Sequence, residues 1–125
     1  MSYWAADSSS LISYFASVPG ADTLLIKQAL EEKKLYLPPV VLTEVLSATQ
    51  DKAFRVEVMQ IPILFLVEDF WERAADTRHI LLSKKLRANM ADTLIAQSCI
   101  DADMPLITRD KDFKAFAKYA GLKLA

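Results

Sequence analysis

Residues 105–113 read PLITRDKDF. A short apolar run leaves a proline and stops at Thr108-Arg109-Asp110, with a second acid at Asp112. Strands commonly end at polar turns of this kind. Taken alone, Asp110 either caps the following helix or holds a ligand, and its surroundings decide between the two.

Downstream, KDFKAFAKYA (111–120) reads as a helix and LKLA (122–125) as a last short strand. Upstream, NMADTLIAQSCIDAD (89–103) carries Ala91, Leu94, Ile95, Ser98 and Ala102 at helical spacing. Before it, residues 68–87 form a long helix with the stripe Phe70, Ala74, Thr77 and Leu81. ILFLV (63–67) is an apolar run without alternation, the pattern of a strand covered on both faces. Residues 39–50 start a helix beside a proline, with Val41, Val45 and Ala48 on one side, and the helix continues over 51–60 to Pro62. LYLP (35–38) is a strand, and 21–34 a helix marked by Leu25, Ala29 and Leu30. SSSLISYFAS (8–17) is a helix opened by hydroxyl residues, and SYWAAD (2–7) a strand ending at Asp7.

Strands that alternate with helices predict an α/β fold of three layers, with a central, mostly parallel sheet of about five short strands. Crossovers in such sheets are right-handed, and ligands bind beyond the carboxyl ends of the strands. Asp7 and Asp110 fall at that edge.

The bulk numbers fit one domain over residues 1–125: 53% of the chain is hydrophobic, and no linker, repeat or low-complexity segment interrupts it. Fifteen Lys and Arg against 16 Asp and Glu give a net charge of -1, so any polyanion site is local or supplied by metal ions. Two glycines are too few for a glycine-rich phosphate loop. One cysteine, Cys99, allows no internal disulfide. The N-terminus lacks the charge and apolar pattern of a signal peptide, and no apolar run approaches the roughly 18 residues of a membrane span. The expectation is a cytoplasmic protein without membrane contact.

Each acid has a plain structural role. Asp7 and Asp110 suit helix caps, and Asp92, three residues after Asn89, suits a helix dipole. Glu44 differs, because it sits mid-helix among Val41, Leu42, Val45 and Leu46. The crossover topology brings all four to one sheet edge. Four carboxylates meeting there repel one another unless a cation joins them, and an all-oxygen set suits Mg²⁺ or Mn²⁺ over zinc. His79, with Glu72 and Asp76 at helical spacing, is better read as part of a solvated face.

The fragments AADSSSLISYF, LPPVVLTEVLSA and ANMADTLIAQSCIDADMPLITRDKDF, in that order and spacing along the whole chain, resemble a PIN domain of the VapC toxin ribonuclease type. The resemblance implies a PIN-like fold and endonucleolytic cleavage of RNA, often tRNA. It places the family's acidic cluster on Asp7, Glu44, Asp92 and Asp110, with Ser9 and Thr108 supporting the metal. Asp112 matches a frequent acid and is read first as a helix-start residue. The resemblance further implies a VapB-type antitoxin partner and a homodimer. Trp4 and Ser10 depart from the usual aliphatic residues, and neither is expected to touch the acids.

Residues 78–118 hold eight Lys or Arg against five Asp. Lys84, Lys85, Arg87, Arg109 and Lys111 are the candidates to grip RNA phosphates. Tyr14, Phe15, Phe54 and Trp71 are candidates for the antitoxin contact. Two alternatives stand beside the toxin reading: a PIN nuclease of RNA processing, and a catalytically silent PIN-fold binding protein. A haloacid-dehalogenase-type phosphatase is disfavoured, because Ser8 and Ser9 follow Asp7 where a second aspartate is needed two residues on.

Overall fold

A computed structural model describes residues 2–125. The elements run β1 (Trp4–Ala6), α1 (Ser8–Phe15), α2 (Ala21–Glu31), β2 (Leu35–Tyr36), α3 (Pro39–Ser47), α4 (Lys52–Met59), α5 (Phe70–Ser83), α6 (Met90–Asp101), β3 (Leu106–Ile107) and α7 (Lys114–Ala120). A 3₁₀ turn, Lys111–Phe113, precedes α7.

The sheet is parallel, in the order β2-β1-β3. Trp4 pairs with Leu35 on one side, and Ala5 with Leu106 on the other. A single parallel bridge extends each edge, Leu37 to Ile63 and Leu106 to Leu124. Five chain segments therefore line up, three as strands and two as one-residue bridges. The right-handed rule puts α1 to α4 on one face of the sheet and α5 to α7 on the other. Helix contacts follow this division, α1 on α2 and α3 and α5 on α6 and α7, and α3 also meets α6. The sheet residues Ala5, Ala6, Leu35, Leu106 and Ile107 are buried at the centre of the core, as expected for strands covered on both sides.

Four expectations change. ILFLV (63–67) is not a covered strand: only Leu64 turns inward, and Phe65 is 95% exposed. Leu64 N–H still donates to Leu37 C=O, but no further strand among the described residues lies beyond this edge, so the chain leaves the sheet there. The helix from 39 breaks after Ser47, and Asp51 restarts it by accepting from the N–H groups of Ala53 and Phe54. An Asp51→Ala variant is expected to lose about 1 kcal/mol, a fall of a few degrees in Tm. The long helix ends at Ser83 rather than Arg87. Leu86 N–H bonds to Leu81 C=O and Lys85 N–H to Leu82 C=O, with Lys85 left-handed at φ 60°, which is a Schellman stop.

The fourth change concerns helix faces. The α5 stripe is as expected, with Phe70, Ala74, Thr77 and Leu81 buried. In α6, by contrast, the run Thr93, Ile95, Ala96, Gln97, Ser98 and Cys99 is buried nearly all round, while Ala102 is exposed. This helix is sandwiched, touching both α5 and α3. Its polar residues are bonded inward: Thr77 Oγ1 donates to Gln97 Oε1, and Gln97 Nε2 donates to Asp101 Oδ1 at 2.9 Å. Smaller shifts occur in α2, where Thr23, Ile26 and Ala29 face inward with Leu25 and Leu30 only partly buried, and in α3, where Ala48 is exposed.

Candidate active site

The carboxyl edge of the sheet gathers the acids. β1 ends at Asp7, whose N–H still donates to Ile107 C=O at 3.1 Å. Its backbone thus belongs to the sheet ladder while its side chain caps α1. Asp7 is 2% exposed. Its Oδ1 accepts from Ser10 N–H at 2.9 Å, both oxygens lie 3.0 Å from Ser9 Oγ, and Thr108 Oγ1 donates to Oδ2. Burial pushes the Asp7 carboxyl above the ordinary value, and the bonds from Thr108, Ser10 and Ser9 oppose that rise.

Thr108 relays Asp7 to the next acid. Its hydroxyl also accepts the Asp110 N–H at 3.0 Å. Asp110 Oδ1 in turn accepts the Asp112 N–H at 2.9 Å, capping the 3₁₀ turn. Across from it, α6 opens with Asn89 as N-cap: Asn89 Oδ1 accepts Asp92 N–H at 2.8 Å, and Asn89 Nδ2 donates to Asp92 Oδ2 at 2.9 Å. Glu44, on α3, accepts from Ser8 Oγ at 3.0 Å. Each acid therefore has a hydroxyl or amide that fixes it, as second partners fix metal ligands.

Asp92, Asp110 and Asp112 bring one carboxylate oxygen each to within 4.8 Å of one another. They form the one such group of acid, histidine or cysteine side chains among the described residues. Asp112 starts the 3₁₀ turn and also brings its carboxylate to those of Asp92 and Asp110. Asp7 and Glu44 lie outside this tight group. Asp7 is linked to it through Thr108, and the Glu44 charge reaches Asp92. Glu72, Asp76 and His79 do not assemble a group.

The electrostatics point the same way. Asp92 is pushed up to about 6 by burial first, then by the charge of Asp110, with Asp112 and Glu44 adding and the Asn89 bond opposing. Like charges held this close favour a proton or a cation among them. The donors are all hard oxygens, which fit Mg²⁺ or Mn²⁺. Asp92, Asp110 and Asp112, with Asp7 and Glu44 beside them, are the residues able to hold such an ion. Cys99 is buried with its thiol pushed up to about 12, so it offers no thiolate.

The basic candidates scatter. Arg87 lies nearest the acids, with Nη1 3.8 Å from Asp112 Oδ2 and an 82% exposed side chain. Lys111 is exposed beside it in the 3₁₀ turn. Lys84 sits over the Tyr119 ring at 4.9 Å, and Lys85 is exposed, its backbone taking the left-handed position of the α5 stop. Arg109 pairs with Asp22, Nε 2.7 Å from Oδ2. Among the aromatics, Phe15 packs on Phe54 at 4.8 Å and on Tyr14 at 5.1 Å, whereas Trp71 is 61% exposed.

Sequence reasoning missed Ser8, Ser10, Asp22 and Asn89. Ser10 corrects an expectation directly, because its N–H holds Asp7 and its hydroxyl donates to Asp22 Oδ2 at 2.8 Å. The only sequence signal for Ser8 and Ser10 was the serine run after Asp7. Asn89 enters the sequence reading only as the residue three before Asp92; its cap and its second bond to Asp92 come from the structure.

No curated protein matches the chain. Solved structures share the fold: VapBC2 from Rickettsia felis bound to a promoter DNA fragment (TM-score 0.75, 17% identity, 98% of this chain and 97% of that one), a toxin–antitoxin complex from Klebsiella pneumoniae (0.67, 22%, 95% and 94%), and VapBC-5 from Mycobacterium tuberculosis (0.67, 20%, 99% and 98%). The PIN domain family model matches residues 5–119, which include every acid described above. No helix among the described residues is long and apolar enough to cross a membrane. With three parallel strands, helices on both faces, acids at the carboxyl edge and a family match over nearly its whole length, this chain belongs to the PIN domain family.

Proposed function

We propose that the protein is a metal-dependent endoribonuclease, the VapC-type toxin of a toxin–antitoxin pair, with residues 1–125 as one catalytic domain. The observation that carries the reading is the meeting of Asp92, Asp110 and Asp112 within 4.8 Å, backed by Asp7 and Glu44. Phosphodiester hydrolysis requires an activated water and neutralisation of charge on the phosphate oxygens, which bound Mg²⁺ or Mn²⁺ supplies. The chain's own part is to hold the acids. Thr108 and Ser9 orient Asp7 and oppose the rise that burial imposes on it, Asn89 aims Asp92, and Ser8 aims Glu44. Arg87 and Lys111 flank the pocket and suit RNA phosphates there. Three structures of the same fold are toxin–antitoxin proteins, which supports a VapB-type partner. Trp71 and Phe65, both exposed, suit a protein contact, either with that partner or in a homodimer. The reading places the protein in the cytoplasm.

Purified protein is expected to cut total RNA or tRNA with Mg²⁺ or Mn²⁺ and to stop in excess EDTA. Asp110→Asn is expected to cut at least about 100-fold more slowly while folding normally. Cleavage that persists in EDTA or in Asp110→Asn would remove the metal-dependent mechanism. A folded, metal-binding wild type that cuts no RNA would favour a silent PIN-fold binding protein.

A further inference from the structure

We propose that Arg109 and Asp22 are positioning residues for the acid pocket, closing a ring that fixes Asp7 and Thr108, and that Arg109 is not a phosphate grip. The proposal rests on the metal-site reading above.

Arg109 lies between two site residues, Thr108 and Asp110, yet its guanidinium turns to the start of α2. Nε donates to Asp22 Oδ2 at 2.7 Å and Nη2 to Asp22 Oδ1 at 2.9 Å, a two-pronged pair. The Asp22 side chain is only 10% exposed. The same Asp22 Oδ2 accepts the hydroxyl of Ser10, which is fully buried. Ser10 N–H holds Asp7 Oδ1, and Asp7 Oδ2 accepts from Thr108, the residue before Arg109. The circuit runs Asp7, Ser10, Asp22, Arg109, Thr108 and back to Asp7. It ties α1, α2 and the β3 loop together at the carboxyl edge.

Gly20 is an independent sign that this pair is built. Its φ of 164° is extended backbone open to any residue, so conformation does not explain a glycine here. Space does: a Cβ would lie 2.5 Å from Asp22 Oδ1 and 2.9 Å from Arg109 Nη2. The glycine leaves room for the pair. A guanidinium committed to both oxygens of a nearly buried carboxylate has little left for RNA, and a lysine cannot reproduce the fork.

The test is Mn²⁺ titration of metal-free protein, without RNA, for wild type, Arg109→Lys, Asp22→Asn, the double variant and Gly20→Ala. Asp51→Ala, remote from the site, is the control for mild destabilisation. Disturbing partners of metal ligands costs roughly 10- to 100-fold in affinity. Each single variant is expected to lose about 10-fold in Mn²⁺ affinity, with the double no worse than either single. Asp51→Ala is expected to bind as wild type. At saturating Mn²⁺ the variants should show lower kcat with KM for RNA unchanged. In EDTA, the salt dependence of RNA binding should be the same for Arg109→Gln as for wild type. Unchanged Mn²⁺ affinity in the single variants, or a salt slope lowered by about 0.7 in Arg109→Gln, would overturn the proposal and make Arg109 a phosphate contact. If wild type itself binds no Mn²⁺, the metal-site reading fails first, and the two failures are told apart.

Discussion

Asp92→Asn is expected to abolish metal-dependent cleavage and, in metal-free protein at pH 7.5, to raise the melting temperature. The two effects share one cause. Burial and the charges of Asp110, Asp112 and Glu44 hold the Asp92 carboxyl at about 6, against 3.8 in an unfolded chain. Between those values the folded state keeps a proton that the unfolded state has released. Stability therefore falls as pH rises through that window, and the full deficit stands above about pH 6. The difference converts to about 3 kcal/mol at about 1.4 kcal/mol per pH unit. Partial exposure and salt screening bring the expected gain of the amide to about 1 kcal/mol. Melts in EDTA at pH 7.5 and near pH 4 check this: the variant should gain at the higher pH and not at the lower. Cleavage should drop by at least about 100-fold, since the group lost is one of three that meet within 4.8 Å. An amide that destabilises at pH 7.5 would mean that the carboxylates do not repel there.

The largest effect on stability is expected at Phe113. Its side chain is 1% exposed, with the Phe116 ring 6.1 Å away. It ends the 3₁₀ turn that Asp110 caps, one residue after Asp112. Phe113→Ala leaves a ring-sized cavity under the acid loop and should cost about 3–5 kcal/mol, lowering Tm by roughly 10 °C or more. Phe113→Leu should cost about 1–1.5 kcal/mol and keep activity. Denaturant midpoints of the two variants decide the matter. A loss below about 1 kcal/mol for the alanine variant would show that the loop is not anchored through this ring.

The alternation of strand and helix, the α5 stripe and the placing of Asp7 and Asp110 after strand ends were legible because each rests on local chemistry: apolar period, caps, and acids where strands end. What was not legible has physical reasons. Helix ends were overrun at 31 and 83 because no glycine marks them. Lys33 and Lys85 take the left-handed stop, at φ 56° and 60°, where glycine is usual. ILFLV looked like a covered strand because composition cannot say whether a sheet continues past an edge. The buried face of α6 was misread because a helix packed on two sides loses its single stripe, and Gln97 and Ser98 go inward with their own bonds. The meeting of Asp112 with Asp92 and Asp110 was not legible, because a first-turn acid satisfies the helix dipole equally well. The pairing of Arg109 was not legible because its partner, Asp22, is 87 residues away in sequence.

The most direct test of the central claim is Mn²⁺ binding to metal-free wild-type protein, followed by calorimetry or electron paramagnetic resonance at pH 7.5 and pH 5. Saturable binding at pH 7.5, weakened at pH 5 as Asp92 takes up its proton and lost in Asp92→Asn, is the predicted result. No binding at either pH in folded protein, or binding indifferent to Asp92, would contradict the assignment of this carboxylate cluster as a metal site.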